Sequence, residues 1–87
     1  MSKSVEYRCE VITRKGRHYA LQDGKLVGID SKRYLSRGYA SAKWEYLQVI
    51  ERQDERFCQV MVIKIKLVNG LVERASVVDR YAFDGCQ

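Results

Sequence analysis

Phe57-Cys58-Gln59-Val60-Met61-Val62-Ile63-Lys64-Ile65-Lys66-Leu67-Val68-Asn69-Gly70-Leu71-Val72-Glu73-Arg74 is the stretch that decides the fold. Residues 57–68 are dense in Val, Ile and Phe, which predicts a long strand. Asn69-Gly70 is the strongest two-residue hairpin signal, because a type I′ turn needs positive φ at both central positions. Residues 71–83 therefore return as a partner strand. Phe57, Met61, Ile63, Ile65 and Leu67 fall on one face, and Cys58, Val60, Val62, Lys64, Lys66 and Val68 on the other. A clean two-residue turn would set Lys66 opposite Glu73, Val62 opposite Val77 and Ile65 opposite Arg74, and a bulge would change that parity.

Working outward, Val5, Tyr7, Cys9 and Val11 alternate with Glu6, Arg8 and Glu10, which predicts a strand over 5–13 with one buried face. Arg14-Lys15-Gly16-Arg17 is a charged turn. Two short strands, 18–22 and 25–29, flank the hairpin dipeptide Asp23-Gly24. Residues 30–40 show no sustained period and read as a connection, with room for a short strand at 32–35. Ser41 is a candidate N-cap for a helix running to about Gln53. Its apolar face is Ala42, Tyr46, Val49, Ile50 and Gln53, widened by Trp44 and Leu47. The expectation is one α+β domain spanning residues 1–87. It is a two-layer sandwich with a four-to-five-stranded antiparallel sheet, ordered hairpin, helix, hairpin, and with the helix on one face.

At 87 residues the chain buries only about 60% of its unfolded surface, enough for one sheet under one helix but not for a deep pocket. The second apolar stripe, Val60 and Val62 with Val77, then needs a cover: a second copy, a protein partner, or the 30–40 connection. These three valines are the expected protein interface.

No apolar run approaches a membrane span, and no signal-like segment opens the chain, so a cytoplasmic location and reduced thiols are expected. Cys9 and Cys58 read as small strand hydrophobes. One His and three scattered Cys do not make a zinc set. His18 with Cys9 is the nearest approach to a base and nucleophile, but no orienting group accompanies them. Glu51, Asp54 and Glu55 read as a polar helix exit, and the glycines match neither phosphate-loop spacing. The expectation is no catalytic residue, no metal, no cofactor, no small-molecule substrate and no membrane partner.

The net charge is +5, and its location along the chain is informative. Between Arg14 and Arg37 seven bases face two acids, while the remainder holds nine of each. Tyr19, Tyr34 and Tyr39 are interleaved with those bases. Lys and Arg neutralise phosphates with release of counterions, and planar side chains stack on bases. Arg14, Lys15, Arg17, Tyr19, Lys32, Arg33, Tyr34, Arg37 and Tyr39 are therefore the candidate nucleic-acid-binding residues. The partner would be nucleic acid or a nucleoprotein complex. The alternative is a protein-interaction module or inhibitor acting through the apolar sheet face, as a homodimer or on another protein.

Lys32-Arg33-Tyr34-Leu35-Ser36-Arg37-Gly38-Tyr39-Ala40-Ser41-Ala42-Lys43-Trp44-Glu45-Tyr46 resembles the strand-to-helix junction of the arm-site-binding domains of tyrosine recombinases. That resemblance implies DNA contacts from Arg14, Lys15, Arg17, Lys32, Arg33 and Arg37. It leaves the hairpin at 57–83 without a counterpart. The second half, with Ser41-Ala42-Lys43 opening a helix and Val68-Asn69-Gly70-Leu71 joining strands, is similar in layout to small phage anti-CRISPR proteins, which implies a compact non-enzymatic binder from a mobile element.

Overall fold

The computed structural model describes residues 2–29 and 38–85. Its elements are β1 (Lys3–Thr13), β2 (His18–Gln22), β3 (Lys25–Gly28), α1 (Tyr39–Arg52), β4 (Phe57–Val68) and β5 (Leu71–Ala82). The strands form one antiparallel sheet in the order β3-β2-β1-β4-β5, and α1 packs across β1 and β4. The expected α+β architecture is therefore the one present. Both dipeptide turns close as anticipated: Asp23 and Gly24 have φ of 53° and 77°, and Asn69 and Gly70 have 52° and 78°. The expected short strand at 32–35 lies outside the described residues.

β1 and β4 pair along their whole length, from Lys3 opposite Val68 to Thr13 opposite Phe57. The odd residues of β1 and the even residues of β4 lie under α1. Cys9, Val11, Val60 and Val62 meet Ala42, Tyr46 and Val49 there, with Leu21, Phe57 and Phe83 completing the core. This reverses the expected use of β4. Val60 and Val62, expected as an outer interface, are fully buried beneath the helix, while Met61, Ile63 and Ile65 sit on the opposite face with Ile12 and Leu67. The register shift beside Thr13 makes Cys58 the extra residue, and it returns Phe57 to the helix side. Val77 alone of the three stays exposed.

The β4–β5 register also departs from the clean-turn expectation. Lys66 lies opposite Arg74, Val62 opposite Asp79, Ile65 opposite Ala75 and Ile63 opposite Val77. Two shifts leave Glu73 and Val78 as extra residues, which moves each partner by one or two places.

The helix begins at Tyr39, so its N-cap falls three residues before the expected Ser41. Gly38 is its N-cap and carries no side-chain hydrogen bond; the Ala42 N–H donates to the Gly38 carbonyl at 3.2 Å. Gln53 is the C-cap at φ 47°, and its N–H donates to Ile50. Trp44 and Leu47, expected to widen the buried face, point outward with 58% and 48% exposure. Glu45 takes a buried position instead, and its Oε1 accepts the Asp23 N–H at 2.5 Å. A buried carboxylate aimed at a turn amide ties the helix to the β2–β3 hairpin. Cys9 is buried, and Cys58 is disulfide-bonded, against the expectation of a reduced thiol. Cys86 lies outside the described residues.

Burial assigns different costs to the two sides of this sheet. Phe57→Ala should lower unfolding free energy by about 3–5 kcal/mol, whereas Val72→Ala, at an exposed β5 position, should change it by less than about 0.5 kcal/mol. Urea unfolding followed by far-UV circular dichroism measures both.

Candidate nucleic-acid interface

The Arg14–Arg17 turn is organised by Thr13. The Thr13 N–H donates to the Arg17 carbonyl at 2.8 Å, and Thr13 Oγ1 accepts the Arg17 N–H at 3.1 Å. The Gly16 N–H donates to the Thr13 carbonyl, and Gly16 sits at φ 82°, a conformation that favours glycine. The turn is docked onto the chain between α1 and β4. The Arg14 N–H donates to the Arg56 carbonyl, and Arg14 Nε donates to the Glu55 carbonyl at 2.6 Å.

A groove of about 350 Å³ lies beside this turn, lined by the cations Arg14, Lys15, Arg17 and Arg56, by Glu55, and by Tyr19, Leu26 and Phe57. Arg56 is held in a fork by Asp54, its Nη2 and Nε meeting the two carboxylate oxygens at 2.7 and 3.0 Å. Its guanidinium lies 4.8 Å from the Phe57 ring centre. Phe57 is fully buried, so it forms a floor and not a stacking surface. The Asp54 carboxyl is held below its ordinary range by the Arg56 hydrogen bond, against the opposing effect of burial. No described carboxylate pairs with the Lys15 or Arg17 side chain. Arg56 and Phe57 come from the helix exit and β4, far in sequence from the basic turn; the Asp-Glu-Arg-Phe run gave no sign of joining it.

Of the nine residues expected to bind nucleic acid, Arg14, Lys15, Arg17 and Tyr19 converge on this groove. Lys32, Arg33, Tyr34 and Arg37 lie outside the described residues. Tyr39 is elsewhere and already engaged. It opens α1, its hydroxyl donates to Asp79 on β5 at 3.0 Å, and its ring meets Tyr7 edge-on at 5.2 Å. Lys43 joins the same carboxylate at 3.0 Å. The Lys43 hydrogen bond, followed by that of Tyr39, holds the Asp79 carboxyl below its ordinary range, and the same contact raises the Lys43 ammonium.

The remaining chemistry-bearing residues do not assemble. His18 Nε2 lies 2.7 Å from Glu10 Oε1 on the face away from the helix, whereas Cys9 is buried beneath the helix, so the two sit on opposite sides of the sheet. Among the described residues no group of His, Cys, Asp and Glu could hold a metal ion, and no helix is long and apolar enough to cross a membrane. No protein-family model, no curated protein and no solved structure matches the chain.

The Asp79 contacts carry a pH dependence of stability with a definite sign. The folded-state pKa lies below the unfolded value of 3.8, so between the two the unfolded chain binds more protons. The contribution is complete above that value and disappears as pH falls through the depressed one. In urea unfolding at pH steps from about 6 to about 2, wild type should lose more stability below its ordinary aspartate range than Asp79→Asn does. Parallel curves would disprove the assignment.

Proposed function

We propose that this protein is a small, non-enzymatic binding protein whose β1–β2 end engages nucleic acid or a nucleic-acid-bearing complex. The observation that carries this reading is the convergence of Arg14, Lys15, Arg17 and Arg56 around one groove, with the first three on a turn docked onto the helix exit. Cations gathered on an ordered turn pay less conformational entropy on binding than cations on a free loop. Among the described residues no carboxylate pairs with Lys15 or Arg17, so a phosphate binding there displaces counterions without breaking any such pair. Tyr19 and Leu26 offer partly exposed flat and apolar surface between the charges. The two resemblances favour a phage or mobile-element setting, while the bonded Cys58 does not accord with a reducing cytoplasm.

A second reading, a protein-interaction module, draws on a different surface. Leu71, Val72, Val77 and Val78 of β5 are exposed, Leu71 by 74%. Val72 and Val77, opposite Leu67 and Ile63, share the face away from the helix, and exposed apolar residues on an outer strand suit a protein contact or a homodimer. A sedimentation shift with concentration that Val72→Glu abolishes would favour it.

A filter-binding salt titration tests the first reading. Log affinity should fall linearly with log salt, and replacing Lys15 and Arg17 by Gln should make the slope shallower by about 1.4–1.8. Absence of binding to any DNA or RNA at low salt would exclude it.

A further inference from the structure

The other end of the helix-bearing face carries a second cationic cluster. By register and alternation, Lys3 on β1, Lys64 and Lys66 on β4, and Arg74 on β5 lie on that face beyond α1. Lys66 sits directly opposite Arg74. Like charges in that relation oppose each other. A clean hairpin would have placed Glu73 there. The register shift between Lys66 and Leu67 displaces Glu73 and brings a cation into its place. Bulges that re-aim a side chain recur next to functional sites. Among the described residues, none of the four cations is engaged by an ion pair or a side-chain hydrogen bond. Lys3, Lys66 and Arg74 line a cavity of about 450 Å³, with Glu73 the carboxylate at its edge.

α1 packs on β1 and β4 and reaches β5 through Tyr39 and Lys43 on Asp79, and the β5 residues Arg74, Ser76 and Tyr81 on the same face are exposed beside it. Along this β5 flank Lys64 is followed by Tyr39 and Lys43 at the helix start, both on Asp79, and then by Tyr81. Tyr39 and Tyr81 are 43% and 40% exposed. Tyr81 shares a second cavity with Arg14 at the basic turn, where Glu55 and Asp84 also line it. Cations therefore stand at both ends of a path carrying two accessible aromatic rings. The ends lie roughly 36 Å apart, eleven residues along β1 at about 3.3 Å each.

We propose that Lys3, Lys64, Lys66 and Arg74 form a second phosphate anchor, and that the ligand is a single-stranded nucleic acid lying along the β5 flank from this anchor to the Arg14–Arg17 turn. This rests on the nucleic-acid reading above and specifies it. A duplex is stiff on this length scale, and α1 stands on the same face between the two ends. A single strand bends beside the helix and stacks its bases on exposed tyrosines.

Fluorescence anisotropy with labelled single strands of about 4 and about 20 nucleotides, and with a duplex of about 20 base pairs, tests this across a salt series. Wild type should bind the longer strand more tightly than the shorter one and more tightly than the duplex. Replacing Lys66 and Arg74 by Gln should abolish the gain with length and make the salt slope on the longer strand shallower by about 1.4. Arg74→Glu, which sets a carboxylate opposite Lys66, should raise the urea midpoint while weakening binding. That outcome separates lost contact from lost folding. If the double variant binds the longer strand with wild-type affinity and slope, or if the duplex binds as tightly as the strand, this inference fails and the basic-turn reading stands. If wild type binds no nucleic acid, both fail.

Discussion

The fold depends on the pairing of β1 with β4 beneath α1. Cys9 and Val11 lie beside Val62 and Val60, and Ala42, Tyr46 and Val49 close over them. This layer expels water from the middle of one sheet face and supplies most of the hydrophobic free energy available to so short a chain. Its extent is set by the helix. Fourteen helical residues span about 21 Å, whereas a twelve-residue strand spans about 40 Å. The helix covers only the middle of the face, and side-chain chemistry changes where the cover ends. On β4 the even positions go from Val60 and Val62 to Lys64 and Lys66, and on β1 the odd positions go from Val11 and Cys9 through Tyr7 and the exposed Val5 to Lys3. At the opposite end the chain turns through Arg14, Lys15 and Arg17. Two cationic ends with an apolar middle follow from the mismatch in length between helix and strand.

The face away from the helix is handled differently. Met61, Ile63 and Ile65 are buried there too, packed with Ile12 and Leu67. Glu10 and His18, paired beside this stripe, place a polar border on it. The bulges at Glu73 and Val78 interrupt the β5 ladder, and Glu73, Arg74, Asp79 and Arg80 charge the strand. Both features discourage unwanted pairing along a long outer edge. The Lys66–Arg74 opposition follows from one of these bulges, so blunting the edge and exposing a pair of cations share a single backbone irregularity.

Local signals account for what was legible. The two I′ turns, the alternation along β1, the bounds of β4 and the existence of one helix follow from backbone stereochemistry and short-range periodicity at Asp23-Gly24, Asn69-Gly70, Val5–Val11 and Phe57–Val68. The basic turn was legible too, because Arg14, Lys15 and Arg17 are contiguous. What escaped involves non-local choices. Both faces of β4 are apolar, so alternation alone does not say which one the helix takes. Val60 and Val62 won because they align with Cys9 and Val11 across β1. Trp44 and Leu47 fit an apolar helix stripe, yet the helix rotates Glu45 inward to reach the Asp23 amide. The anchor at Lys3, Lys64, Lys66 and Arg74 was hidden because its charge is balanced along the chain and unbalanced only in space, although the two-residue spacing of Lys64 and Lys66 already put those two on one face.

The amino-acid order by itself determined the strands, the turns, the helix and a cationic run, since each depends on residues within a few positions of one another. The tertiary structure alone decided which side of β4 is the core, where the ladder slips and which distant cations stand together. Those outcomes depend on cross-strand register, and register is settled only when the whole sheet and its helix are packed at once.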